Sequence, residues 1–235
     1  MKLVVASSWI HKWLALIVGI QILFWVISGL FFAVYPIERV RSEHRIAERA
    51  AAPLDAAALP SPADIAPLLP AEPLRITYER GVRGEALALA EFEGRSPALI
   101  DLAQRRVISP LDEAAAREIA SAYVANAPAI REARLVTEAS PEYRGALPAW
   151  RVSFADREGL AVYVAADTGR VGARRSDLWR VYDALWALHI MDWRDHENFN
   201  TGWLIAASVL ALIVTLAGFV LLPYRLGWLR GKRRT

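Results

Sequence analysis

The run WLALIVGIQILFWVISGLFFAVYPI, from Trp13 to Ile37, holds 25 residues without a charge. A second run, NFNTGWLIAASVLALIVTLAGFVLLPY from Asn198 to Tyr224, holds 27. A hydrocarbon core of roughly 30 Å is crossed by about 20 helical residues, so each run is long enough to span a membrane. Charged residues are dense between the two runs. The stretch between them, residues 38–197, is long enough for one hydrophobic core or two small ones.

The flanks give an orientation. Lys2 and Lys12 precede the first run, and Arg225, Arg230, Lys232, Arg233 and Arg234 follow the second. Positive charge beside a span stays on the cytoplasmic side. Both ends are therefore expected in the cytoplasm and the central domain in the periplasm of a bacterial inner-membrane protein. The basic tail reads as this topology signal, so no nucleic-acid partner is expected. A cleaved signal peptide fits poorly, because its apolar core spans about 7–15 residues and Phe31-Phe32-Ala33-Val34-Tyr35-Pro36 offers no small-x-small cleavage site. Trp9, Trp13 and Tyr35 mark the ends of the first run, and Trp193, Trp203, Tyr224 and Trp228 those of the second. Tryptophan and tyrosine belong at such interfaces because their rings are part apolar and part polar.

The chain has no cysteine, which excludes disulfides, thiolate metal sites, iron–sulfur clusters and covalent c-type haem attachment. The zinc pattern H-E-x-x-H, Gly-rich phosphate loops and the dinucleotide fingerprint are also absent, and nothing in the residue order points to a Ser-His-Asp triad. A conventional hydrolase or nucleotide-dependent enzyme is not expected.

The central domain contains an internal repeat. Residues 38–60 read as a helical extension of the first span followed by an Ala- and Pro-rich linker. Ser61-Pro62-Ala63-Asp64 and Ser109-Pro110-Leu111-Asp112 share a helix-start pattern of serine cap, proline and acid. After each start comes a helical segment and then strand-like runs: Leu74–Tyr78, Ala86–Phe92 and Ala98–Leu102 in the first copy, Arg134–Glu138, Ala149–Phe154 and Ala161–Ala165 in the second. A polar turn closes each copy into one more short strand, and Asp167-Thr168-Gly169 is hairpin chemistry. The expected architecture is an α+β membrane protein in which two transmembrane helices (9–37 and 198–224) flank two tandem repeats (61–108 and 109–175) of helix plus antiparallel sheet. An amphipathic pre-membrane helix (176–197) and a basic tail (225–235) complete it.

At these residues the chain resembles a known family. Asp112 to Arg175, ending in Tyr163-Val164-Ala165-Ala166-Asp167-Thr168-Gly169-Arg170-Val171, resembles a PepSY domain, and the half before it resembles a diverged second copy. His11-Lys12-Trp13-Leu14, opening a span that later carries Ser28-Gly29, is similar to the first helix of PepSY-associated transmembrane proteins. So is Leu188-His189-Ile190-Met191-Asp192-Trp193 with Asn198-Phe199-Asn200 to the segment those proteins place before a later span. Larger relatives have four spans where this chain has two.

Four histidines are present: His11, His44, His189 and His196. An ionisable residue at a membrane helix is a functional candidate by default, although His11 beside Lys12 and Trp13 also fits a hydrated interfacial position. Trp179, Tyr182, Trp186 and His189 share a helical face. That face suits a flat apolar cofactor or a helix lying on the membrane. His44 and His196 sit among charges and read as solvated. Arg105, Arg106, Arg170, Arg174 and Arg175 lie near strand ends and suit either an anionic chelate or a solvated face.

Characterised relatives with these segments resemble haem-containing inner-membrane reductases that pass electrons outward to ferric iron chelates. The resemblance therefore implies haem b, which needs no cysteine, with His11 and His189 as axial ligands of the haem iron, and a ferric-chelate (siderophore) reductase activity. The length of the first span separates the two imidazoles by roughly 25 Å at 1.5 Å per residue, too far for one haem. A homodimer answers this, with two copies of His11 on one haem and two of His189 on another. Ala207, Ala211 and Thr215, like Ala15 and Gly19, recur every four residues and suit close helix approach, between copies or within one chain. The competing expectation is a non-enzymatic anchored PepSY module that binds or regulates a periplasmic protein, for example by strand addition.

Overall fold

A computed structural model describes residues 2–48 and 52–228. In chain order the N-terminal part holds α1 (Lys2–Val34), α2 (Ile37–Val40) and α3 (Pro62–Ile65). Strands β1 (Arg75–Arg80), β2 (Ala86–Phe92), β3 (Arg95–Asp101) and β4 (Arg106–Val107) follow. Then come α4 (Glu113–Tyr123), β5 (Ile130–Val136), β6 (Ala149–Phe154), β7 (Ala161–Ala165), β8 (Val171–Arg175), α5 (Asp177–Ile190) and α6 (Gly202–Arg225). The chain forms two compact units. One joins the segment up to Pro36 with the segment from Val181; the other runs from Ile37 to Arg180.

In the first unit α1 packs against α6, and their apolar stretches, Ser8–Val34 and Gly202–Pro223, are each long enough to cross a membrane. Val214, Ala217 and Leu221 are buried at helical spacing on one stripe of α6, and Val18 and Ser28 are buried on α1, while many of the remaining apolar side chains face outward, as lipid-facing residues do. Thr215, expected among the close-packing residues, is exposed and bonds back to Ala211 O at 2.8 Å. Ala207 and Ala211 are half-buried. Lys12 lies over the Trp13 ring at 5.4 Å. Of the basic residues used to orient the chain, Arg230, Lys232, Arg233 and Arg234 lie outside the described residues.

The expected helical extension after the first span is not continuous. Helix α1 stops at Val34, one residue before Tyr35-Pro36, because proline disfavours helical backbone in the residue before it and has no N–H to give. Only the short α2 and a turn of 3₁₀ helix at Glu43–Arg45 follow, separated by Ser42 at φ +56°.

The second unit carries two four-stranded antiparallel sheets, β1-β2-β3-β4 and β5-β6-β7-β8, in the same order. This is the tandem repeat read from the sequence. The alternation in β2 sorts its side chains to two cores. Leu87 and Leu89 join Leu99 of β3, Ile119 of α4 and Val152, Phe154, Val162 and Val164 of the second sheet. Ala88 and Ala90 pack with Ile65, Ala98 and Ile100 under α3. The repeats therefore share one core and are not separate domains. The two helix starts differ. Asp64 accepts the Ser61 N–H at 2.9 Å, the reciprocal half of a capping box. In the second copy α4 is capped by Asp112, which accepts from Ala115 N at 2.8 Å. Ser109 instead accepts the Leu99 N–H at 2.9 Å and belongs to the sheet.

Candidate functional site

The membrane unit holds its two candidate histidines in the same way. His11 lies on the stripe of α1 that faces α6, and its Nδ1 is 3.0 Å from Val214 O. A carbonyl only accepts, so Nδ1 carries a proton, and in the neutral ring Nε2 is the nitrogen that keeps its lone pair. Room for the ring comes from Gly218, where a Cβ would lie 3.1 Å from His11 Cε1.

Seventeen residues further along α1, Ser28 is fully buried and its Oγ is 2.7 Å from His189 Nδ1. The single hydroxyl proton of Ser28 goes to Phe24 O at 2.6 Å. Ser28 therefore accepts the His189 Nδ1–H, and Nε2 is again the free nitrogen. Burial pushes the His189 imidazole pKa down, which favours the neutral ring. The end of α5 is fixed beside it: Trp25 Nε1 donates to His189 O at 2.7 Å and Gln21 Nε2 to Leu188 O at 3.1 Å. The last carbonyls of a helix have no partner inside it, and α1 supplies them.

Around His189 stand aromatic rings. Trp186 is stacked at 6.4 Å and 3°, and Phe32 meets the imidazole edge-on at 5.6 Å. Phe32 also contacts Tyr182 at 4.7 Å, and Trp186 contacts Phe199 at 5.3 Å. The spacing from His11 to Ser28 is roughly 25 Å of helix, so one chain presents two separate imidazoles, one beside Val214 and one beside Ser28.

The family model of the PepSY-associated TM region matches residues 8–235. The chain belongs to that family. No curated protein and no solved structure matches it.

In this PepSY-associated membrane protein the connection between α5 and α6 is built on Asp192. Its carboxylate accepts four backbone N–H groups, from Glu197 at 3.0 Å, Asn198 at 2.9 Å, Arg194 at 3.4 Å and Asp195 at 3.3 Å. The donors at Asn198 and Glu197 lead in pulling its pKa down to about 2. The same loop turns His196 back onto α5, where Nδ1 meets Asp183 Oδ2 at 2.6 Å and the His196 carbonyl accepts from Trp186 Nε1 at 3.0 Å. His196 was expected to be solvated, but its side chain is only 17% exposed. His44, beside Glu158 at 3.7 Å, keeps a partly exposed surface position.

Of the five arginines considered for an anionic chelate, Arg105 sits exposed at φ +51° in the turn before β4, and the other four have internal partners. Arg170 binds Glu79 at 2.6 Å, Arg106 binds Gln104, Arg174 binds Tyr123 and Arg41 O, and Arg175 donates to Glu142 O while lying over Trp179. Beside them Glu142 is ion-paired with Arg180 and accepts from Tyr163. Burial raises the Glu142 pKa, but the bonds from Arg180 and Tyr163 and the charges of Arg180 and Arg151 outweigh it and leave the carboxyl low. Burial, with the hydrogen bond to Glu142, pushes Tyr163 up to about 12. This network is structural. The sequence named both histidines as candidates but not Gln21, Trp25 or Gly218 beside them, and Ser28 only as part of a family motif. Gln21, Trp25 and Ser28 recur at helical spacing in an apolar run, which was the available signal.

Proposed function

We propose that this protein binds haem b through His11 and His189 and conducts electrons across the bacterial inner membrane to a ferric chelate in the periplasm. The observation that carries the reading is the shared state of the two imidazoles. Each has Nδ1 tied to an acceptor and Nε2 free, which is how ligating histidines are held by the groups behind them. The surroundings of His189 are aromatic, with Trp186 parallel to the imidazole and Phe32 edge-on to it, which suits an apolar planar cofactor. Haem, when bound, supplies a one-electron iron couple. The chain's own residues orient the rings, through Val214 O and Gly218 for His11 and through Ser28 for His189. The α1 spacing supports a scheme in which the two imidazoles serve different haems and two copies of the chain complete each ligand pair. The cytoplasmic placement of both ends rests on the positive-inside rule.

A visible spectrum of the protein purified in mild detergent, recorded before and after dithionite, tests this. A Soret band that sharpens and shifts on reduction is expected. Colourless protein from haem-supplied cells would sink the reading and leave the sheets as a binding module on an anchor. His11→Ala is expected to remove one haem and spare the other; loss of both or of neither contradicts the two-haem dimer.

A further inference from the structure

We propose that β5 is a dimerisation edge, at which two copies of this chain pair their β5 strands antiparallel about a two-fold axis through Ala133. This names a contact for the second copy that the haem reading invokes, and it stands or falls without haem.

The two sheets have four edges: β1, β4, β5 and β8. Three of them have their charged side chains occupied from within. On β1, Arg75 pairs with Glu91, Glu79 with Arg170, and Arg80 donates to Ala52 O, Pro53 O and Gly84 O. On β8, Arg174 and Arg175 hold the partners given above, and the two-residue β4 offers only Arg106, bonded to Gln104. Strand β5 differs. Arg131, Glu132 and Arg134 are exposed, and among the described residues none of these side chains has a hydrogen bond or ion pair. Arg134 also stands in register opposite Arg151 of β6, a like-charge pairing that opposes strand association. Leu135 is 45% exposed beside it. An open hollow of ≈ 740 Å³ runs along this side of the sheet, lined by Glu132, Arg134, Leu135 and Arg151 among others.

The backbone is also available. Phe154 turns its N–H to Leu160 O. By alternation Ser153 and Arg151 turn toward β5 and bond with their register partners Glu132 and Arg134. The N–H and C=O groups of Ala133 and Leu135 therefore point outward, away from β6. A copy of β5 laid antiparallel about Ala133 uses those groups. It sets Glu132 opposite the partner's Arg134 and Arg134 opposite the partner's Glu132, both as close, non-hydrogen-bonded pairs. Shifting the axis to Glu132 or to Arg134 places like charges face to face. Only the Ala133 axis makes the strand complementary to itself, as a two-fold contact must be. The result joins two second-repeat sheets into one sheet of eight strands.

The test is the mass of the full chain in mild detergent across a dilution series. Glu132→Arg and Arg134→Glu each create two like-charge pairs per dimer, and each is expected to raise the dimer dissociation constant by roughly tenfold or more. The double variant E132R/R134E restores opposite charges across the axis and is expected to dimerise like the unaltered chain. The protein has no cysteine, so Glu132→Cys with Arg134→Cys in one chain is expected to give a covalent dimer on mild oxidation, the opposed Cα atoms lying within disulfide range. An unaltered chain that stays monomeric, a dimer indifferent to single charge reversals, or a double variant no tighter than the single ones overturns the proposal. The visible spectrum of the same samples reports haem separately, so a colourless dimer sinks the haem reading alone.

Discussion

At the scale of single residues, two oxygens decide what the histidines can do. Ser28→Ala removes the acceptor from a buried Nδ1–H, and an orphaned donor costs about 1–3 kcal/mol. If His189 ligates haem as proposed, haem retention there is expected to weaken by roughly 10- to 100-fold, the usual effect of losing the group behind a ligand. Ser28→Thr keeps the oxygen and is expected to retain haem, both measured by titrating haem into the apo-protein. Asp192 makes a second prediction. Its carboxyl sits at about 2 against an ordinary 3.8. A carboxyl depressed by folding stabilises the fold at every pH above its unfolded value and loses that contribution as pH falls through the folded one. Protection of the Glu197 and Asn198 amides, taken relative to the intrinsic exchange rate at each pH, is therefore expected to fall between about pH 4 and pH 2, and in Asp192→Asn to be low throughout. The imidazoles were visible in the sequence because histidine is scarce and unusual at a membrane helix. Their partners were not. A carbonyl on α6 and a serine 161 positions away from His189 become neighbours only through tertiary packing. The Asp183–His196 pair was hidden likewise, since the turn that closes it is held by the Asp192 carboxylate reaching N–H groups as far on as Asn198.

At the scale of elements, the inner stripe of α6 sets how close α1 can come. At Gly218 an added Cβ would lie 3.1 Å from His11 Cε1. Gly218→Ala asks the ring to yield by a few tenths of an ångström and is expected to be tolerated. Gly218→Leu is expected to evict the imidazole, seen as loss of the protected His11 Nδ1–H signal in spectra of ¹⁵N-histidine-labelled protein. The strands show where pattern reading succeeds. The bounds of β2, β6 and β7 match the sequence reading, because each is central and buries apolar side chains that alternation or a compact apolar run reveals. Strand β5 begins at Ile130, four residues before the expected start at Arg134. It is an edge with a register shift between Ile130 and Glu132, and a bulge breaks the period that alternation relies on. Helix α4 starts later than the Ser-Pro pattern implied because Ser109 is claimed by the neighbouring strand.

At the scale of the whole molecule, the two units contain separate cores. Phe154 is 1% exposed in the core shared by both sheets. Phe154→Ala is expected to cost about 3–5 kcal/mol and to lower the melting transition of the sheet unit, followed by near-ultraviolet circular dichroism. If haem is bound as proposed, its spectrum and thermal loss are expected to stay unchanged, because the imidazoles and their supports all lie in the other unit. A strand that is its own partner has a genetic consequence. In a mixed pair, a chain carrying Glu132→Arg and a chain carrying Arg134→Glu bring only opposite charges together across the axis. Two alleles that each fail alone are then expected to rescue one another when co-expressed, and to select the hybrid over either parent pair.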